Sequence, residues 1–198
     1  MTTPAVPSTP AAPGPRDRLL ATAERLIYAS SIQGTGVDAI VRESGTARKS
    51  FYLYFDSKEA LVAEALRRRD DRWMAWYEQG TLASGKTPAK QLLGMFDVLR
   101  EWFTSDDYYG CAFLNAAGEI KSPDNEIFKV SRLHKERLLA FILGLCEQAG
   151  AKDPVALSRQ LLVLVDGAIA VALVSGQPDP ADDAKNVATC LLMAAGVS

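Results

Sequence analysis

An all-α fold of about nine helices is predicted by three features of the sequence. From residue 16 onward apolar residues recur at three- and four-residue spacing. Breakers rich in Gly, Pro, Ser and Asp fall between the periodic stretches. Nowhere does apolar and polar residue alternation run long enough to make a strand. The 198 residues are 48% apolar and 23% charged, an ordinary globular composition, and the chain is long enough to bury a core without covalent staples.

The elements follow in order. Residues 1–15 hold five of the ten prolines, mixed with Ala, Ser and Thr. Such a segment buries too little apolar area to offset its ordering entropy, so a disordered tail is predicted there. Leu19, Leu20, Ala23, Leu26 and Ile27 define one face of a first helix, which ends at a Ser-Ser-Ile-Gln-Gly turn. Thr35 and Asp38 have the spacing of a capping box and open a short helix carrying Val37, Ile40 and Val41, which stops near Gly45. A second short helix is predicted over residues 47–54. Asp56 and Glu59 form another box at the head of a helix running to about residue 78, followed by a linker over 80–88. Further helices are expected over 89–104, 111–120, 125–150, 154–176 and 180–195, with Pro154 and Pro180 in first turns that tolerate proline.

Composition excludes several functions. The three cysteines, Cys111, Cys146 and Cys190, are widely spaced, and His134 is the single histidine, so neither a disulfide framework nor a zinc finger is expected. Metal binding by Cys111, Glu119 and His134 has unspecific spacing, and no metal or cofactor is expected. No apolar run reaches the roughly 18 residues of a membrane span, and no signal peptide is evident, so a cytoplasmic location without a membrane partner is expected. The net charge of -2 excludes a wholly basic coat protein. Residues 16–72 carry 11 basic against 9 acidic side chains, and residues 73–198 carry 11 against 15. The sign of that difference suits an N-terminal unit that meets an anion.

Two short helices joined by a Gly-containing turn, with a supporting helix before them, form a helix-turn-helix pattern. In the second, Phe51 and Phe55 face inward together, while Thr46, Arg48, Lys49, Ser50, Tyr52 and Tyr54 supply cations and hydroxyls suited to phosphates and base edges. The stretch TGVDAIVRESGTARKSFYLYFDSKEALV, residues 35–62, resembles the DNA-binding region of the TetR family of one-component transcriptional regulators, and RDRLLATAERLI, residues 16–27, resembles that family's opening helix. The resemblance covers about residues 16–72. It implies that Thr35 caps the second helix and touches phosphate, that Thr46 to Ser50 begin the recognition helix, and that Tyr52 and Tyr54 contact backbone or thymine methyls. It also implies that Lys58 binds phosphate. Ala47, Lys49 and Leu53 depart from residues frequent in the family, which bears on operator sequence. Arg67, Arg68 and Arg69, offset by Asp70 and Asp71, read as a solvated face.

Residues 73–198 are expected to bind a ligand and dimerise, as the resemblance implies. Aromatic residues concentrate between positions 73 and 113, and Trp73, Trp76, Phe96, Trp102 and Phe103 are candidates to line an apolar pocket. Cys111, Asn115 and Glu119, at four-residue spacing, and Asp166 are polar candidates. Cys111 is read as a small buried thiol at a helix start and His134 as a solvated or interface residue. The stretch 161–174 is apolar nearly all round, a pattern of a helix buried on every side. With the last helix it would build a four-helix interface between two copies. The expected protein is a homodimeric repressor that leaves a palindromic double-stranded DNA operator when a small apolar effector binds. It is not expected to be an enzyme. The alternatives are a helical enzyme or a protein-binding adaptor using the C-terminal cavity. One histidine and the lack of a nucleophile–base spacing argue against the first; the basic, aromatic helix argues against the second.

Overall fold

The computed structural model describes residues 12–197. Among them are nine helices and no strand: α1 (Pro15–Ala29), α2 (Val37–Glu43), α3 (Arg48–Tyr54), α4 (Lys58–Ala83), α5 (Pro88–Phe103), α6 (Ala112–Ile120), α7 (Glu126–Gln148), α8 (Pro154–Ser175) and α9 (Pro180–Ala194). The predicted tail lies largely outside the described residues; its last member, Pro15, is instead the first residue of α1, where its missing N–H costs nothing.

Two cores share α4. The smaller joins Leu19, Leu20 and Ala23 of α1 to Ile40 of α2, Phe51 and Phe55 at α3, and Leu61 and Ala65 of α4. The turn between α2 and α3 is set by Gly45, whose φ of +61° suits a residue without Cβ. The Gly45 and Thr46 amides donate back to the Arg42 and Val41 carbonyls, closing α2. Arg18 of α1 donates through Nε to the Ser44 carbonyl at 3.1 Å, tying the turn to the supporting helix. The larger core gathers α4 to α9, with Tyr77, Leu92, Met95, Phe96, Leu99, Leu138, Ile142 and Leu161 fully enclosed.

Both predicted capping boxes are corrected. The N-cap of α2 is Gly36, and no side chain caps it; Thr35 is buried and its hydroxyl donates to the Ser31 carbonyl at 2.7 Å. The N-cap of α4 is Ser57, which accepts from the Ala60 amide, rather than Asp56. The predicted linker shrinks because α4 continues through Gly80 to Ala83. A Cβ at Gly80 would come within 3.0 Å of a Val98 methyl, so the glycine serves close contact between α4 and α5 rather than a break.

The helix α8 is long and apolar enough by composition alone to cross a bilayer, a test that the core helix of a globular protein also passes. One expectation for it is corrected: it is not enclosed on every side. Leu157, Leu161, Val165, Ala168 and Ala172 are buried, whereas Val163, Val171 and Val174 are 70%, 56% and 88% exposed within this single chain. Asp166, on its flank, is ion-paired with Lys135 of α7 at 2.5 Å.

Phe51 is one of the two phenylalanines in the smaller core and is 1% exposed. Phe51→Ala should lower the unfolding free energy by about 3–5 kcal/mol, read from urea denaturation followed by circular dichroism.

Candidate nucleic-acid interface

The helix α3 offers an outward face built by its own periodicity. Phe51 points into the core and meets Phe55 at a ring-centroid distance of 6.0 Å, so the intervening residues are turned to solvent. Arg48, Lys49, Tyr52, Leu53 and Tyr54 are exposed, and Thr46 and Ser50 are half-buried. Tyr52 and Leu53, at 56% and 73%, are too exposed to be packing residues. Arg48 is ion-paired with Asp38 of α2 and lies over the Tyr52 ring, 5.8 Å from its centroid. Lys49 has no ion pair among the described residues. An exposed cation, two tyrosines and flanking hydroxyls on one short helix can serve phosphate oxygens and major-groove base edges.

Two residues assigned to phosphate by resemblance are placed differently. The Lys58 ammonium donates to the Ile32 carbonyl at 2.8 Å and the Thr35 carbonyl at 3.3 Å, so it clamps the α1–α2 connection. Thr35 is 4% exposed, with its hydroxyl turned back to that same segment.

A joint connects this unit to the C-terminal helices. The Tyr28 hydroxyl of α1 accepts from the Tyr109 amide at 3.0 Å and donates to the Gly110 carbonyl at 2.9 Å. Burial raises its pKa above the ordinary value, which keeps it a phenol able to donate. The Glu119 carboxylate of α6 accepts from the Ile32 and Gln33 amides, both at 3.0 Å. Arg69 of α4 stacks on the Tyr28 ring at 3.6 Å and pairs with Glu24 at 3.2 Å, both charges largely buried. Arg69 is thus part of a joint, not of the solvated face expected for 67–69.

Between α1, α4 and α6 lies a cavity of about 380 Å³. Ile27, Ile32, Val62, Leu66, Ala112 and Ala116 give it apolar walls, while Arg69, Asn115 and Glu119 are polar groups at its margin. Of the sequence-predicted ligand candidates, Asn115 and Glu119 line it, and none of the aromatic ones does. Trp73, Trp76 and Trp102 pack together, with centroid separations of 6.0, 5.7 and 6.1 Å, beside a separate open cleft. Phe96 and Phe103 are core residues, and Asp166 is held by Lys135. The cavity was missed because small residues, Ala112 and Ala116 one turn apart, make it by leaving space, and a search for large aromatic walls overlooks them.

A third group was also misread. His134 is 1% exposed rather than solvated, and its Nδ1 is 2.7 Å from Asp70 Oδ1. Asp70, itself buried, also pairs with Arg137. The His134 ring stacks on Phe113 with centroids 3.8 Å apart. Burial alone would depress the imidazole, but bonds to Asp70 and Cys111 outweigh it and hold its pKa above 6.5. Cys111, the N-cap of α6, accepts from the Leu114 amide at 3.4 Å. Burial pushes its thiol up, but the His134 bond and the Lys135 charge prevail and set it below the ordinary thiol value. The spacing Leu66, Asp70, Met74, Tyr77, Thr81 along α4 places Asp70 on the buried stripe and could have flagged it. Glu119 is engaged with backbone amides, apart from Cys111 and His134, and no group of three metal-ligating side chains gathers among the described residues.

Comparison with known proteins sets this geometry in context. The sequence model described as "Bacterial regulatory proteins, tetR family" matches residues 19–65. A crystal structure of a TetR-type transcriptional regulator from Streptomyces avermitilis is 30% identical, covers 94% of this chain and 100% of that one, and superposes with a TM-score of 0.83. A TetR-family transcriptional regulator from Streptomyces coelicolor is 28% identical, covers 91% and 95%, and gives 0.84. The HTH-type transcriptional regulator YjdC of Escherichia coli is 23% identical over 177 residues, 89% of this chain and 93% of that protein.

The raised His134 pKa sets a sign for stability against pH. Its contribution is full below 6.5 and is lost as pH rises through the native value. The depressed Cys111 thiol acts oppositely as pH approaches its ordinary 9.0, so the histidine slope is read below that range in the native chain. There, the urea midpoint should fall with rising pH through the histidine range, and His134→Gln should flatten that slope.

Proposed function

The chain belongs to the TetR family of DNA-binding transcriptional regulators, and from that premise we propose that it acts as a homodimeric repressor in the cytoplasm, released from a palindromic operator by a small apolar effector. The observation that carries the reading is the outward face of α3, where Lys49, Tyr52, Leu53 and Tyr54 stand exposed on a helix anchored from behind by Phe51. In this reading α3 enters the major groove. Arg48 exchanges Asp38 for a phosphate or guanine edge, Lys49 takes a phosphate, and Thr46 and Ser50 offer hydroxyls at the helix start. Thr35 and Lys58 hold the α1–α2 connection in position rather than meeting the DNA directly.

Dimerisation is assigned to α8 and α9. Val163, Val171 and Val174 on the first, and Val187 and Met193 on the second, leave an apolar surface unburied in the single chain. Gly167, exposed on α8, permits close helix approach. Two-fold pairing of such a face presents two copies of α3, and the operator is then palindromic. The effector site is assigned to the cavity between α1, α4 and α6. Its walls suit an apolar body of drug-like size, with a polar group reaching Arg69 or Asn115. An occupant there would bear directly on Tyr28, Ile32 and Glu119, the residues of the joint. A tenfold loss of operator affinity requires about 1.4 kcal/mol of coupling.

The test is a salt-titrated gel shift on the intergenic DNA beside the coding gene. The wild-type protein should give a discrete complex whose affinity falls steeply with salt. The double substitution Arg48→Ala with Lys49→Ala should weaken it by at least about tenfold and reduce the salt slope. Absence of a discrete complex at low salt would refute the proposal. In a second measurement, Val174→Glu should shift the light-scattering mass from dimer to monomer, because it sets a charge in an apolar contact.

A further inference from the structure

We propose that Cys111 is an oxidant-sensing thiol that takes one oxygen atom from a hydroperoxide, with His134, oriented by Asp70, accepting and returning the proton; this rests on the reading of the protein as a regulator.

Geometry carries the assignment. Cys111, His134, Trp73, Trp102 and Arg69 line a small cavity of about 10 Å³, distinct in size from the larger one beside it. That is room for about one water-sized molecule, so the space admits hydrogen peroxide with slight movement of its aromatic walls and excludes a bulky electrophile. The Trp73 indole N–H is buried without a partner among the described residues, an unsatisfied donor in a residue of that lining. His134 Nδ1 is committed to Asp70, which leaves Nε2 as the basic nitrogen for the thiol. A nucleophile, a base and a carboxylate that orients the base recur wherever a cysteine is activated. The other thiols lack this setting. Burial raises Cys146 to about 11, and Cys190 is exposed on α9.

The reaction balances within these groups. The Cys111 proton passes to His134 Nε2, and the thiolate attacks one oxygen of hydrogen peroxide. The S–O bond forms as the O–O bond breaks. The sulfur is oxidised by two electrons to the sulfenic acid, and the leaving oxygen, reduced to hydroxide, takes the proton from His134 and departs as water. Dithiothreitol returns the sulfur to the thiol, becoming a disulfide and releasing water.

The consequence follows from where Cys111 sits. It caps α6 through the Leu114 amide, and the two residues before it, Tyr109 and Gly110, hold the Tyr28 hydroxyl. The hydroxyl left on the sulfur fills that space and sets a polar group against Trp102 and Phe113. The sulfur that caps α6 through the Leu114 amide is thereby changed, and the start of α6 shifts, loosening Tyr28 at one end of the helix and the Glu119 contacts to Ile32 and Gln33 at the other.

The experiment exposes the folded full chain to hydrogen peroxide for timed intervals, then unfolds it in urea containing dimedone as the sulfenic-acid probe, read by peptide mass spectrometry. Although buried, Cys111 should label about tenfold faster than exposed Cys190, with Cys146 unlabelled. His134→Gln should slow Cys111 labelling without slowing Cys190. In the oxidised wild type, hydrogen exchange at the Ile32, Gln33 and Tyr109 amides should accelerate about tenfold. Dithiothreitol should reverse that change, and Cys111→Ser should not show it. Labelling of Cys190 ahead of Cys111 in the folded protein would overturn the proposal. So would unchanged exchange at those amides after full oxidation of Cys111. Neither readout requires DNA, so a protein that never binds its intergenic DNA would sink the regulator reading while labelling and exchange still judged the thiol.

Discussion

The Tyr28 hydroxyl, set between the Tyr109 amide and the Gly110 carbonyl, is the contact through which the two halves of this protein know each other's position. It is one phenol serving as acceptor and donor at once, and a phenylalanine there would strand both backbone groups. Arg69 fixes the ring from above, and Glu24 fixes Arg69. Glu119 repeats the arrangement a short distance away, one carboxylate spanning two consecutive amides. All four side chains are polar and most of their area is withdrawn from water, so the joint holds one arrangement or yields; intermediate geometries leave polar atoms unpaired.

Charge is distributed in keeping with that joint. Arg16, Arg68, Arg69 and Arg72 are engaged by Glu64, Asp17 and Glu24 across α1 and α4. Each exposed pair contributes little to stability, but together they fix the register of two helices and neutralise most of the cationic charge behind the reading head. On the outward side, Lys49 of α3 and Arg42 of α2 are left without an acidic partner among the described residues, so a chain with a net charge of -2 still presents cations there.

Much of this was legible in the sequence. The periodicity of residues 16 onward located the nine helices, and Phe51 with Phe55 fixed which side of α3 faces outward. Helix ends were less legible. Gly80 looked like a terminator because glycine usually is one, and only the Val98 methyls across the contact reveal why it lies inside α4. The α2 cap was misassigned because Thr35 has the right spacing, yet its hydroxyl is used by Ser31. The candidate pocket was the least legible. Tryptophans advertise themselves in a sequence, whereas a void between Ile27, Val62, Ala112 and Ala116 is a property of three helices jointly. His134 and Asp70 were misjudged for a related reason: polar neighbours along the chain suggested water, while their true surroundings come from α4, α6 and α7.

The helix α4 begins in one core and ends in the other without interruption over 26 residues. At 1.5 Å per residue it is a rod about 39 Å long. A tilt of about 5° at one end then displaces the other by roughly 3 Å, close to the spacing of successive base pairs. In the proposed pair of subunits the displacements would be related by symmetry and would change the separation of the two α3 helices by up to twice that amount. Leverage on this scale would let a sub-ångström adjustment beside Val62 or Leu66, in the first turns of the rod, put the two helices out of step with a duplex whose pitch does not change.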